Sequence, residues 1–130
     1  MAKTDAVTAQ DPGLAIIQLS GNDALQKVSQ EKTEANLRIM IEAFQANQSV
    51  VLMIGIRSGP FGDQYGDMFE DLAAEYEILY LPDALKGLFG RPQYMADPIH
   101  PNDAGSEILA ERVSELIVSI YRWWMQYFVH

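Results

Sequence analysis

The 130-residue chain contains no cysteine. There can therefore be no disulfide framework, no thiol nucleophile and no zinc site built on thiolates. Basic side chains are also few, since 9 lysines and arginines stand against 18 aspartates and glutamates, for a formal net charge of −9. Because a phosphate backbone binds to a concentrated positive surface, this balance argues against a nucleic-acid partner.

Long apolar runs are absent as well. The longest apolar stretch, residues 116–129, is interrupted by Ser119, Arg122 and Gln126, and it is shorter than the roughly 20 residues that a bilayer-spanning helix needs. The first residues lack the apolar segment typical of a signal peptide. The sequence therefore does not favour a membrane partner, and it leaves the compartment of the protein open.

Three short apolar runs are present, separated by helical patterns. Near-continuous hydrophobicity over four to seven residues is typical of strands buried on both faces of a parallel sheet. The pattern therefore predicts an α/β protein of three layers, α/β/α, with right-handed crossovers between about three strands. The predicted strands are Leu14–Leu19, Val50–Ile56 and Ile78–Leu81.

Helices are predicted over residues 33–46 and 64–76, and a long final helix is predicted to begin near Asp103. Each carries an apolar stripe at steps of three and four residues, which is the pattern of a helix that covers a core. The stripes are Leu37, Ile41 and Phe44; Met68, Leu72 and Tyr76; and Leu109, Val113, Leu116, Ile120, Trp124 and Tyr127.

An aspartate stands three residues before a histidine ahead of the last helix. At this spacing the carboxylate of Asp97 can accept the Nδ1 proton of His100, which leaves Nε2 free to act as a general base. The only other histidine is the terminal His130, so His100 is the candidate base. Asn102 or Asp103 can cap the following helix. The alternative is an ordinary loop histidine beside a helix cap.

Gly21 and Asn22 directly follow the first predicted strand. Ligands of open α/β sheets bind outside the carboxyl ends of the strands, and an asparagine amide can donate to a developing oxyanion. The same residues also suit a plain turn and helix N-cap, so this reading remains open beside the functional one.

Together, Gly21-Asn22-Asp23 and the segment Asp97-Pro98-Ile99-His100-Pro101-Asn102 resemble the SGNH (GDSL) hydrolase family, in particular its small arylesterases, lysophospholipases and thioesterases. The resemblance spans about residues 12–118. It implies a flavodoxin-like sheet and hydrolysis of small acyl esters or thioesters through an acyl-serine, without metal or cofactor. It also implies that His100 is the general base, Asp97 its orienting partner and Asn22 an oxyanion donor, with Gly21 allowing close backbone approach.

The family's nucleophilic serine lies in a Gly-Asp-Ser motif after the first strand, and a further oxyanion glycine follows the second. Neither motif occurs here. We interpret residues 1–13 as a short leader and residues 14–130 as a partial domain that begins with the family's third strand. Ser20 and Ser58 fit the serine's place poorly, so no nucleophile is identified. The expected activity of the chain alone is therefore weak or absent.

Two alternatives to an enzyme remain, namely a non-catalytic interaction domain and a membrane-surface module that uses the aromatic tail, residues 121–128. Against the second, the tail is nearly uncharged and continues the core stripe, which favours packing in the core or in a dimer. An open strand edge beside Ile16 and Ile17 predicts a homo-oligomer or pairing with a separate N-terminal segment. Arg57, Phe61 and Tyr65 are predicted to line the acyl pocket.

Overall fold

The computed structural model describes residues 2–18, 26–57 and 59–128. Within these ranges helices and strands alternate, and a 3-10 turn, Gly59–Phe61, lies between the second strand and the helix that follows it. In chain order they are α1 (Ala2–Thr8), β1 (Leu14–Ile17), α2 (Gln30–Ala46), β2 (Val50–Ile54), α3 (Gly66–Tyr76), β3 (Leu79–Leu81) and α4 (Asp103–Phe128).

The three strands form one parallel sheet in the order β1-β2-β3. Leu14 pairs with Val50, and Leu52 pairs with Leu79, so the middle strand is hydrogen-bonded on both sides. The predicted α/β class with a three-stranded parallel sheet is confirmed. Each strand ends or begins one or two residues inside the predicted apolar run, which is the usual uncertainty of strand boundaries.

One face of the sheet is covered by α2 and α3. Ala15, Ile17, Val51 and Met53 point to this side, because side chains alternate between the faces of a strand. They pack against the buried residues of the two helices. The predicted apolar stripe of α2 is confirmed, and the buried face of α3 includes further residues beyond the predicted stripe. The helix residues are Leu37, Ile41, Phe44, Phe69, Leu72 and Ala73, with Met68 and Tyr76 partly buried beside them.

Among the described residues, α4 covers the opposite face together with Ala84 from the segment after β3. Leu52 and Ile54 of the middle strand are buried there against the first half of the helix. Leu109, Val113 and Leu116 make this contact as predicted, together with Ile117. The last turns behave differently, because Trp124 and Tyr127 remain 47% and 63% exposed. The tail therefore does not pack in the core of the chain, which corrects that part of the sequence-based expectation.

The stretch interpreted as a polar leader contains α1, which packs against α2. Asn47 also holds residues 2–13 in place, since its Nδ2 donates to Asp11 Oδ1 over 3.0 Å. A helix of seven residues offers too few apolar positions for its period to be recognised in a sequence. Within the described ranges, no helix is long and apolar enough to cross a membrane.

Candidate active site

Asp97 and His100 are in direct contact. Nδ1 of the imidazole lies 2.8 Å from Asp97 Oδ2 and 3.1 Å from Oδ1. The ring is well exposed, with 68% of the side-chain surface open, and Nε2 has no hydrogen-bond partner among the residues that the structure describes. The contact assigns the donor proton to Nδ1 and leaves Nε2 as the nitrogen able to accept one.

The Asp97 carboxylate is held by the backbone of its own loop. Oδ1 accepts the N–H groups of Ile99 over 2.8 Å and of His100 over 2.7 Å. Hydrogen bonds to a carboxylate favour its charged form. The Ile99 N–H, and after it the imidazole and the His100 N–H, hold the pKa of Asp97 below its ordinary value. The carboxylate is thus ionised and fixed in orientation at neutral pH.

The loop that carries the pair is tied to the start of α4. Ala96 N–H donates to His100 O over 2.8 Å, and Asn102 N–H donates to Tyr94 O over 2.9 Å. Of the two residues predicted as helix caps, Asn102 makes the capping bond, since its Oδ1 accepts the Gly105 N–H over 3.0 Å. The position of His100 is therefore set by the helix N-terminus.

The direction of α4 shows at which end of the sheet the pair lies. Late residues of the helix, among them Ile117 and Ile120, line a groove with Leu14, Val50 and Leu79, which stand at or near the strand beginnings. The start of α4 and the adjoining Asp97–His100 loop therefore point toward the carboxyl ends of the strands. Ligands of open α/β sheets bind at that end.

The predicted oxyanion residues, Gly21 and Asn22, lie outside the described residues. The same holds for Ser20 and Ser58, the two serines considered as substitutes for the nucleophile. Chain connectivity places Gly21 and Asn22 four and five residues beyond the end of β1 at Ile17. Their predicted roles remain predictions.

Arg57, predicted to line the acyl pocket, is surrounded by acids that the sequence did not indicate. Its Nε and Nη2 contact the two carboxylate oxygens of Asp63 over 2.6 and 2.7 Å. Asp67 lies 3.4 Å and Glu70 3.6 Å from the guanidinium. The bidentate contact with Arg57 holds the pKa of Asp63 below its ordinary value. These carboxylates therefore hold the Arg57 guanidinium beside the segment that leads into α3.

A depression of about 510 Å³ lies beside Arg57, with Asp63, Asp83 and Lys86 in its lining. The Arg57 N–H donates to Asp83 Oδ1 over 3.2 Å, which joins the loops that follow β2 and β3. The depression therefore sits at the carboxyl ends of these strands. Leu81 and Pro82 complete the lining, so both charged and apolar side chains border the depression.

Tyr65, the other predicted lining residue that can be assessed, is a core residue. It is only 4% exposed, its ring stacks on Phe69 and its hydroxyl donates to Val28 O. The Phe61 side chain lies outside the described part. Nearby, burial raises the pKa of Tyr80 to about 12, and its hydroxyl lacks a hydrogen-bond partner within the described structure.

No group of three or more histidines, aspartates and glutamates in the described ranges is placed to hold a metal ion.

Comparison with known proteins assigns the family. Residues 2–108 match the model of the GDSL-like Lipase/Acylhydrolase family. The chain belongs to this family. This confirms the family that the sequence motifs predicted.

Two curated relatives show how much of such a protein the chain contains. It is 32% identical over 120 residues to the esterase TesA of Pseudomonas aeruginosa, covering 87% of this chain and 60% of that protein. It is 29% identical over 118 residues to the thioesterase 1/protease 1/lysophospholipase L1 of Escherichia coli, covering 85% of this chain and 57% of that protein. The chain thus spans about 60% of the first relative's length.

Solved structures confirm the fold. A crystal structure of TesA superposes with a TM-score of 0.81 at 28% identity, covering 89% of this chain and 68% of the other. The psychrotrophic esterase EstA from Pseudoalteromonas gives a TM-score of 0.80 at 20% identity, with coverages of 93% and 70%. At that identity the second likeness shows the fold alone.

Proposed function

We propose that this chain supplies the general base of a site that hydrolyses carboxylic esters or thioesters. The observation that carries the proposal is the hydrogen bond of 2.8 Å from His100 Nδ1 to Asp97, which leaves Nε2 available. Membership of the lipase/acylhydrolase family supports this chemistry. So do the names of the two curated relatives, an esterase and a thioesterase.

In the proposed reaction, His100 Nε2 removes the proton of an attacking hydroxyl while the hydroxyl oxygen bonds to the carbonyl carbon of the ester. The bond from the carbonyl carbon to the leaving oxygen or sulfur then breaks, and the imidazolium gives its proton to that atom, so that an alcohol or thiol leaves. Water, deprotonated by the same Nε2, finally attacks the acyl group and releases it from the hydroxyl as a carboxylic acid. Asp97 does not take the proton itself, because its role is to fix the ring and stabilise the imidazolium charge. Asn22 and Gly21 are the proposed donors to the oxyanion.

We further propose that the chain alone has little or no esterase activity. Its sequence contains no Gly-Asp-Ser motif, and neither Ser20 nor Ser58 stands at the position of the family's serine. Without a nucleophile the acyl-enzyme route is lost, and only oxyanion donors and substrate binding contribute to the rate.

The activity of the chain alone is measured with p-nitrophenyl butyrate. The expected rate is that of the buffer, and the His100→Ala variant should give the same rate. Robust turnover that disappears in His100→Ala would show that the chain has a working nucleophile and would contradict the proposed inactivity.

The hydrolase proposal is tested on a fusion. The part of Pseudomonas aeruginosa TesA that precedes the region matched by this chain is joined, through a protease-cleavable linker, ahead of Met1. We expect hydrolysis of p-nitrophenyl butyrate that falls by roughly a thousandfold or more in His100→Ala. His130→Ala, which changes the only other histidine, serves as the control and should leave the rate unchanged. A fusion that is folded by circular dichroism and inert would contradict the proposal.

A second candidate function is an interaction domain without catalysis. The exposure of Ile16 (49%) and Tyr121 (60%) favours it, because contiguous apolar surface on a small protein marks an interaction site. A folded but inert fusion would favour this candidate over the hydrolase.

A further inference from the structure

The active-site loop is a narrow hairpin. Met95 and Pro101 are antiparallel bridge partners at its base, and just beyond them Ala96 N–H donates to His100 O over 2.8 Å. The tip, residues 96–100, contains both the carboxylate and the imidazole of the proposed site. The carboxylate stands on the incoming limb of the hairpin and the imidazole on the outgoing limb. Their contact therefore depends on how the two limbs are held together.

The side chain of Asn102 joins the two limbs. Its Nδ2 donates to Gln93 O over 3.0 Å and to Pro92 O over 3.4 Å, both on the incoming limb. Its Oδ1 accepts the N–H of Gly105 over 3.0 Å, in the first turn of α4. The backbone N–H of Asn102 adds a bond of 2.9 Å to Tyr94 O. One residue thus connects the chain that enters the hairpin with the helix that leaves it.

Capping of α4 uses only half of the Asn102 amide. A helix cap needs a side-chain oxygen that accepts a backbone N–H, and serine, aspartate and asparagine supply one almost equally well. Among these three, only asparagine also carries two N–H donors on the same planar group. The bonds from Nδ2 to the carbonyls of residues 92 and 93 therefore serve a second role, which a cap does not require.

The incoming limb has few other attachments. Residues 91–93 are exposed, so side-chain burial contributes little to holding them. Within the described part of the chain, Tyr94 N–H and Met95 N–H both donate to Arg91 O, over 2.9 and 3.0 Å. The Arg91 guanidinium lies over the Tyr94 ring, 5.9 Å from its centroid. These contacts stay within the limb, and Asn102 provides the hydrogen bonds that tie it to the start of α4.

The contact between the carboxylate and the imidazole is sensitive to this tie. His100 Nδ1 lies 2.8 Å from Asp97 Oδ2, and a hydrogen bond weakens steeply when its atoms drift apart or its angle falls. Displacement of the incoming limb would carry the Asp97 backbone away from that of His100, which the bond from Ala96 N–H now holds close. The assignment of the ring proton to Nδ1 would then be lost.

We propose that Asn102 is a positioning residue for the general base. Its amide holds the incoming limb against the start of α4. The limb in turn keeps the Asp97 carboxylate on Nδ1 of His100, so that Nε2 stays free to accept a proton. Asn102 acts through the hairpin rather than on the reacting atoms. The inference rests on the proposed function, because a loop histidine without a catalytic task needs no fixed tautomer.

The tautomer of His100 is the measurement that separates positioning from capping. In a His130→Ala background, which leaves His100 as the only histidine, long-range proton–nitrogen spectra of the free chain are recorded at a pH where the ring is neutral. The starting protein should carry its proton on Nδ1. Asn102→Ser keeps a capping oxygen and removes the amide donors. We expect the share of rings protonated on Nε2 to rise by roughly threefold or more, since the hydrogen bond to Nδ1 sets the tautomer.

Ser29→Ala is the matched control, because Ser29 caps a different helix, α2, through the Lys32 N–H. It should lower the urea midpoint, as loss of a cap does, and leave the tautomer unchanged. Asp97→Ala gives the spectrum of a ring without its carboxylate. Asn102→Thr, a second capping residue without an amide, repeats the test, and circular dichroism verifies that each variant is folded.

A wild-type tautomer in folded Asn102→Ser and Asn102→Thr would show that the residue is only a cap and would overturn the inference. A Ser29→Ala variant that shifts the tautomer as far would also overturn it, because any loss of stability would then have the same effect. The fusion described above reports on the function separately. Hydrolysis by the fusion beside a tautomer that never responds keeps the proposed function and rejects the role of Asn102. An inert fusion beside a tautomer that responds rejects the function, while the control of the tautomer by Asn102 stands.

Discussion

At the scale of single residues, the Asp97 carboxylate determines how the imidazole can be used. It accepts two backbone N–H groups and the ring Nδ1 at once. Two of these bonds come from the main chain, so the orientation of the carboxylate does not depend on the imidazole alone. This preorganisation is what a positioning residue needs in order to fix a general base.

The first prediction follows from the lowered pKa of Asp97. A carboxylate whose folded-state pKa is depressed contributes stability above its unfolded pKa, and this contribution is lost as the pH falls through the folded value. The amide protons of Ile99 and His100 should therefore keep their hydrogen-bonded chemical shifts to below pH 3.8, the ordinary value for aspartate. Proton–nitrogen correlation spectra recorded at falling pH provide the measurement.

The Asn47→Ala variant, which alters a distant contact with Asp11, is the control and should titrate identically at these two amides. A midpoint at or above pH 3.8 would contradict the bonding described for the loop.

The Asp97–His100 contact was predictable because residues only three positions apart in a loop keep their side chains within reach of each other. The cluster of acidic side chains around Arg57 was not predictable. It brings together residues six, ten and thirteen positions apart, and their meeting depends on how the chain turns at Gly59–Phe61 and enters α3. Such loop conformations are not encoded in any periodic pattern. The core position of Tyr65 was missed for the same reason.

At the scale of elements, Gly105 joins α4 to the active-site loop. It lies in the first turn of the helix, where the chain passes so closely that a β-carbon would stand 2.2 Å from Tyr94 O and 2.9 Å from Pro101 Cβ. The same Tyr94 carbonyl accepts the Asn102 N–H. A side chain at position 105 would therefore push the loop that holds His100 away from the helix.

The second prediction is that Gly105→Ala destabilises the protein. In an ordinary helix interior the change stabilises by about 1 kcal/mol, but here the backbone contact reverses the sign, and we expect a loss of about 1–3 kcal/mol, as for overpacking. Urea denaturation followed by circular dichroism measures the free energy of unfolding. Ser106→Ala, at the exposed neighbouring position, should be neutral or slightly stabilising. A Gly105→Ala variant as stable as Ser106→Ala would disprove the close contact.

The sequence predicted the strands because their apolar runs are nearly continuous, and it predicted α2, α3 and α4 because each buries a periodic apolar face. It did not predict where α2 begins. Ser29 caps that helix by accepting the Lys32 N–H, so the helix includes a polar first turn, Gln30–Lys32, that carries no apolar signal. The predicted end of α3 at Tyr76 agrees with the structure, in which Glu77 ends the helix in a left-handed conformation with φ of 53°. This conformation is usually left to glycine or asparagine.

At the scale of the whole molecule, stability is concentrated around the sheet and is low in the tail of α4. Leu52 of β2 is completely buried against α4. In contrast, Tyr127 is 63% exposed and contacts Trp123 one turn earlier in the helix. The two halves of one helix therefore contribute very differently to folding, although their apolar spacing in the sequence is the same.

The third prediction compares Leu52, the β2 residue that packs against the first half of α4, with Tyr127 in the tail of the helix. Leu52→Ala should lower the free energy of unfolding by about 2–5 kcal/mol, since it leaves a cavity. Tyr127→Ala should change it by no more than about 0.5 kcal/mol, the usual range for a surface position. Both are measured by urea denaturation with circular dichroism. A loss of several kcal/mol in Tyr127→Ala would show that the tail is covered in solution.

The length of α4 has a consequence for hydrodynamic measurements. At 26 residues the helix extends for about 39 Å, whereas β2, with 5 residues, extends for about 17 Å. The helix is therefore longer than the strand that it covers, and the side chains of its last turns are exposed. A monomer of 14.6 kDa should then elute from a sizing column somewhat ahead of globular standards of its mass, so its molar mass is better taken from light scattering.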